Sequence, residues 1–226
     1  MPNILTSRPG WVLAAQLLGT LAILVAVPGN AGKWLAFITL WTVTFWPLKR
    51  SEWALCVTVC LLFTVMNAAA LDNGIFVFAR ADVLGMPIYE LTMWGFYVLH
   101  AHRVVAGPIA ARPGWDIWVL AIAFSAAFGL IHDPLPLLVV TLVILGLALW
   151  RHHDRHDLRY AGYMLLLGAL IEYAGVWSGE WHYPVAPFGG VPLWFATMWA
   201  GVGFFLRRLA LPLAQGLDGI RSESPA

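Results

Sequence analysis

Two carboxylic acids sit where a carboxyl is costly. Glu172 lies in the apolar run LLLGALIEYAGVW, five residues before its end, and Glu90 lies three residues into PIYELTMWGFYV. An acid within a membrane span costs about 2.5–3.5 kcal/mol on insertion scales, so each one needs a reason. A carboxyl walled by apolar side chains favours its neutral form and can serve as a general acid. Protonating an isolated alkene gives a carbocation, and aromatic faces stabilise a cation. That chemistry suits a polyene or terpenoid dissolved in a bilayer. The alternative for both acids is structural: a protonated carboxyl hydrogen-bonded to a neighbouring helix.

Other side chains group with these acids by position. Asn67, Asp72, Trp94, Tyr173, Trp177, Trp181, His182, Tyr183 and Trp199 are the candidate substrate-binding residues, with Glu172 and Glu90 as the catalytic pair. Gly168 and Gly175 flank Glu172 at i−4 and i+3, where small residues let a helix or a flat ligand come close. The expected site is an aromatic-walled pocket open to lipid, with the two acids at its floor. Anchoring at the lipid–water boundary is the competing account of the Trp and Tyr residues. For Asp72, Arg80 and Asp82 it is an ordinary solvated loop. No metal or cofactor is expected at the acids.

The stretch that carries Glu172, from there to Trp199, is written twice. With the numbering shifted by 105, Gly179, Gly190, Pro192, Thr197, Met198, Trp199 and Arg208 fall on Gly74, Gly85, Pro87, Thr92, Met93, Trp94 and Arg103. Those seven identities span about 30 aligned positions, where chance gives about two. Aromatic character also matches, Phe76 with Trp181 and Phe78 with Tyr183. The acids do not follow the pattern: Asn67 is the partner of Glu172, and Phe195 that of Glu90. Unmatched acids in a matched frame point to a specialised site.

The frame itself reads as membrane-embedded. Of 226 residues, 61% are hydrophobic and 11% charged, with mean hydropathy +0.77. About 25% charged is usual for a water-soluble domain, so lipid is the expected solvent. The net charge of +1 gives no reason to expect a nucleic-acid partner. Eight apolar segments run approximately 11–27, 33–48, 53–71, 87–104, 115–131, 135–150, 158–177 and 191–211. Spanning takes about 20 residues, so the shorter segments are marginal. Only helices satisfy their backbone internally in lipid. The predicted fold is therefore all-α, with about eight transmembrane helices in two parallel four-helix repeats. Residues 11–104 form one repeat, 105–114 a linker and 115–211 the second. Residues 1–10 and a disordered tail, 212–226, complete the chain.

Eleven of the Lys and Arg residues fall on the side of the termini; Lys33 and Arg80 fall on the other. The positive-inside rule then places both termini in the cytoplasm, in a cell inner membrane, with the loops 72–86 and 178–190 outward. No cleavable signal is expected. Cys56 and Cys60, four apart in one segment, read as packing residues. His100, His102, His152, His153 and His156 gather near the basic side. Their spacing differs from that of two-iron membrane oxygenases, and interleaved Arg disfavours a dication, so a plain basic loop is the expectation.

The pattern E-x-x-G-x-x-x-G-x-x-x-Y followed by GVPL and W resembles an integral-membrane carotenoid-biosynthesis family that includes hydratases of acyclic carotenoid end groups. Here it comprises Glu172, Gly175, Gly179, Tyr183, Gly190, Val191, Pro192, Leu193 and Trp199, about 30 residues of the chain. PIYE is similar to the P-x-E-E element of small membrane lycopene cyclases, with Leu91 at the second acid. The resemblance implies acid chemistry on a membrane isoprenoid or carotenoid. A small-solute or proton-coupled transporter, or a structural subunit of a membrane complex, are the alternatives, and a homo-oligomer is compatible with all three.

Overall fold

The computed structural model describes residues 9–111 and 113–219. Residues 1–8, Arg112 and residues 220–226 lie outside the described residues. So do Arg8, Arg112 and Arg221 of the cation count, and the far part of the predicted tail. Eight helices coincide with the eight apolar segments: α1 Gly10–Ala26, α2 Asn30–Phe45, α3 Arg50–Asp72, α4 Glu90–Val105, α5 Trp115–Leu130, α6 Pro134–His152, α7 Arg155–Ser178 and α8 Trp194–Phe205. By length and composition α3, α6 and α7 are able to cross a membrane. Outward faces are apolar too: Val43, Val65, Ile122, Leu130 and Trp150 are all exposed. An apolar exterior is what a lipid-solvated bundle presents, and no water-soluble surface of this kind would be stable.

Two boundaries depart from the sequence reading. The fourth segment was expected to turn helical from Pro87; it does so at Glu90, after a turn in which Glu90 N–H donates to Pro87 O at 3.0 Å. The last helix does not end at residue 211. It passes through a π-helical turn, Leu206–Ala210, into α9, Leu211–Gly219. The expected disorder from residue 212 is thus corrected over this stretch. Leu211 and Ala214 are buried, with α9 packed on α3, so apolar contact overrides a polar composition.

At the arginine-rich end the two longest helices, α3 and α7, each start at a carboxylate that also grips a neighbour. Glu52, at N3 of α3, accepts the Lys49 N–H at 2.9 Å, and Asp157, at N3 of α7, accepts the Asp154 N–H at 2.8 Å. Such boxes satisfy amides that a helix start leaves bare. Glu52 also takes Arg103 of α4 in a two-point grip at 2.9 and 3.0 Å. Asp157 takes Arg208 through Nε at 3.0 and 3.1 Å, and Arg207 as well. Glu52 and Asp157 are 105 apart, as are Arg103 and Arg208.

The loop end carries the same numerical echo. Gly74 and Gly179 both take positive φ, 66° and 77°, to end α3 and α7, a left-handed closure that glycine makes without a Cβ penalty. Bridges join Val83 to Met86 and Phe188 to Val191. Two short strands, β1 Val77–Phe78 and β2 Trp181–His182, pair antiparallel, with Val77 opposite His182, its counterpart at 105. The loops meet face to face over the bundle.

Removing one side of a buried ion pair leaves an uncompensated charge. Glu52→Gln is expected to cost about 3 kcal/mol, read as lost unfolding free energy in detergent micelles, with Lys49→Ala near neutral.

A buried acid pair under an aromatic lid

Helix α7 presents Glu172 between two glycines, and each glycine makes room for an indole. A Cβ on Gly168 would stand 2.1 Å from Trp199 Cγ, and one on Gly175 would stand 2.0 Å from the Trp181 ring. The rings therefore lie flat on α7 and reach the carboxyl. Trp199 Nε1–H donates to Oε1 at 3.1 Å; Trp181 Nε1–H and Tyr183 O–H donate to Oε2 at 3.1 and 2.7 Å. All three partners donate, and a carboxylate's lone pairs are what they fit.

Glu90 is held differently. Its Oε1 accepts from Asn67 Nδ2 of α3 at 2.9 Å and from Trp94 Nε1, one turn on in α4, at 3.1 Å. Its Oε2 has no hydrogen-bond partner among the described residues. Between the acids, Trp94 stacks on Trp199 at 4.6 Å, and Phe63 stacks on the other face of Trp94 at 3.8 Å. The two central indoles are 105 apart in the chain, and each serves a different acid. Over them sits the β1–β2 lid, with Phe76 against Tyr183 and Phe78 against Trp181 at 5.8 and 5.9 Å.

The space enclosed is a hollow of about 50 Å³, walled by both acids, Asn67, Tyr97 and the lid aromatics. It has room for one or two waters and is too small for a polyene. Met198 belongs to its wall and also to that of an apolar groove of about 820 Å³ between α3, α5 and the α8–α9 rod. The groove is of lipid size.

A latch fixes the lid. Tyr89 O–H, just before Glu90, donates to Glu180 Oε2 at 2.8 Å, and Lys33 Nζ pairs with Glu180 Oε1 at 3.2 Å. Lys33 also caps the end of α1, through Leu24 O at 2.8 Å and Val27 O at 2.5 Å. It is 3% exposed, where its sequence position had read as an open segment end.

Of the residues picked from sequence, Glu172, Glu90, Asn67, Trp94, Trp181, Tyr183 and Trp199 come together. Four do not. Asp72 is exposed at the end of α3. Strand alternation turns Trp181 inward and His182 out. Tyr173 and Trp177, one and five residues past Glu172, lie on another face of α7 and hold the second loop by its backbone, through Phe188 O and Gly189 O. Sequence reasoning passed over Tyr97 and Met198. Glu90, Trp94 and Tyr97 at i, i+4 and i+7 share one helix face, which is the signal that finds the first.

The five histidines go to separate partners. His100 meets Gln16 and Tyr163, and His102 meets Tyr160. His152 lies 3.2 Å from Asp116, His153 bonds Leu149 O, and His156 packs on Gly107. Among the described residues no three His, Cys, Asp or Glu side chains converge on a metal position. Cys56 and Cys60 are free thiols of α3 that crowd Gly95 of α4, where a Cβ would have no room.

The fold and site define an all-helical, membrane-type bundle with a buried pair of acids. No protein-family model and no curated protein matches the sequence. The fold is similar to that of MvINS, a mycobacterial Insig homolog from Mycobacterium vanbaalenii, at TM-score 0.61 and 14% identity, over 73% of this chain and 95% of that one. A cross-linked trimer of a cysteine variant of MvINS gives TM-score 0.63 at 14% identity, over 78% and 96%. At this identity the likeness is one of fold alone, and no carotenoid enzyme stands among these neighbours.

Gly175→Ala is expected to lift Trp181 off α7 and break its bond to Glu172. Overpacking of this kind costs about 1–3 kcal/mol, and the freed indole N–H is read by ultraviolet resonance Raman as a weakened hydrogen bond.

Proposed function

We propose that this chain is a multi-pass membrane enzyme that performs acid/base chemistry on an isoprenoid of carotenoid type, or another lipid, drawn from the bilayer. One observation carries the reading: the two acids without repeat partners converge on a water-sized hollow that shares a wall with a lipid-sized groove. The groove receives the chain of the substrate, and Met198, a flexible side chain, yields to let an end-group alkene reach the hollow. Glu90, through Oε2, gives its proton to one alkene carbon. The cation at the other carbon is held by the aromatic rings that wall the hollow, Phe76, Tyr183 and Trp194 among them. Water in the hollow attacks it and loses a proton to Glu172. Alkene and water become an alcohol, and the proton on Glu172 returns to Glu90. Reversal is a dehydration.

The frame belongs to the same proposal: about eight spans in two four-helix repeats, related by an axis along the membrane normal. The shared backbone at positions 105 apart supports it, as does the pairing of Val77 with His182. Cytoplasmic termini in a cell inner membrane rest on the described cations at one end, from Lys49 to Arg208, against Lys33 and Arg80 at the other. The trimer form of MvINS supports a search for self-association. A proton-coupled transporter is the second reading, favoured by a hollow too small for a lipid.

Co-expression with a polyene-producing pathway, followed by pigment analysis, tests the first. A new product is expected with the native chain and its loss by about 100-fold or more with Glu172→Gln or Glu90→Gln. An unchanged pigment profile with the native chain sinks the enzyme reading. Glutamate-dependent proton uptake into vesicles would favour the second.

A further inference from the structure

The hollow has two flanks, and residues 105 apart hold matching places on them. On one flank stand Gln16, Tyr97, His100 and Tyr163; on the other stand Ala121, Val202, Phe205 and Thr58. The second flank is the wide apolar groove, lined by all four of those residues. The first has closed around a cavity of about 10 Å³, whose wall includes Gln16, Tyr97 and His100. Tyr97 belongs to the wall of this cavity and of the hollow.

Polar side chains at this depth are costly, yet here they are concentrated. Gln16 is 2% and His100 5% exposed. His100 Nδ1 lies 2.9 Å from Gln16 Oε1, and Nε2 lies 2.6 Å from the Tyr163 hydroxyl. An amide oxygen only accepts, so Nδ1 carries the hydrogen and Nε2 accepts from Tyr163. Gln16 Nε2 is left buried without a hydrogen-bond partner among the described residues. A donor of this kind beside a cavity of this size is the setting for one bound water. Nearer the arginine-rich end, His102 Nδ1 and Tyr160 O–H form a second pair at 2.9 Å.

We propose that Gln16, His100 and Tyr163 form a proton relay that connects Glu90 with the arginine-rich end of the bundle, through one water and Tyr97. A proton enters as Tyr163 passes its own to His100 Nε2 and is reprotonated from the side of His102 and Tyr160. The imidazolium sheds its Nδ1 proton to the water once the Gln16 amide swings aside. The water hands a proton through the Tyr97 hydroxyl to Glu90, so one proton enters and one leaves. Lipid and protons thus reach the acids from opposite flanks. The relay deepens the enzyme reading, because it rests on Glu90 as the proton donor.

Deuterium exchange of the Glu90 carboxyl tests it without any substrate. The protein in lipid nanodiscs is moved to deuterated buffer, and the infrared carbonyl band that Glu90→Gln removes is followed in time. His100→Phe is expected to slow the exchange at least about tenfold, and Tyr163→Phe, which only deletes a hydroxyl, to slow it as well. Phe205→Leu, on the opposite flank, is expected to leave it unchanged. If His100→Phe does not fold, Tyr163→Phe decides alone. Native exchange rates in the relay variants overturn the proposal, as does equal slowing by Phe205→Leu, or a native protein with no protonated Glu90 band. A pigment-negative result alongside relay-dependent exchange removes the enzyme reading and leaves the relay standing.

Discussion

A carboxyl buried in an apolar bundle must be supplied with donors, and much of this structure is arranged to supply them to Glu172. The donors come from three places at once: Trp181 and Tyr183 from the second loop, Trp199 from α8. Each is an aromatic residue, so each brings a ring that must be packed as well as a proton to give. Packing those rings requires Gly168 and Gly175 on α7. The lid is thereby fastened from beneath by the acid and from above by the Lys33–Glu180–Tyr89 latch. Hydrogen bonds at charged groups in a dry site are the strong ones, and leaving one unmade is expensive. Lid, helix spacing and acid position are therefore one constraint.

The structure also joins symmetry with its breaking. The ion-pair clasps of Glu52 with Arg103 and Asp157 with Arg208, the strand pairing, and the Trp94–Trp199 stack all respect the spacing of 105 residues. The acids do not. Asn67 stands where Glu172's partner would be and donates to Glu90, the other acid. Asn67, 105 residues before one acid, thus supports the other. The flanks diverge in the same sense, one polar and closed, the other apolar and open.

Much of this was legible in the sequence, because lipid leaves few choices. Low charge and long apolar runs dictate helices, and all eight segments carry one. Glu90 and Glu172 stood out because an acid in such a run demands an account. Trp94 and Trp199 followed from the residue matches at an offset of 105. What could not be read was direction. Tyr173 sits beside Glu172 in sequence yet turns to the loop backbone, and His182 turns out where Trp181 turns in. These outcomes depend on helix rotation and strand phase, which neighbouring helices set. The hollow's small size was equally hidden, since it follows from how closely two indoles stack. The helical stretch at Leu211–Gly219 escaped because burial against α3 outweighs a polar composition.

The central claim is that Glu90 and Glu172 act on one shared space, and a double-mutant cycle tests it most directly. Unfolding free energies in micelles would be measured for the native chain, Glu90→Gln, Glu172→Gln and the pair. Two acids facing one small hollow predict a coupling above about 0.5 kcal/mol. Costs that add within about 0.3 kcal/mol would mean that the acids do not sense each other, and the account of a common site would be wrong.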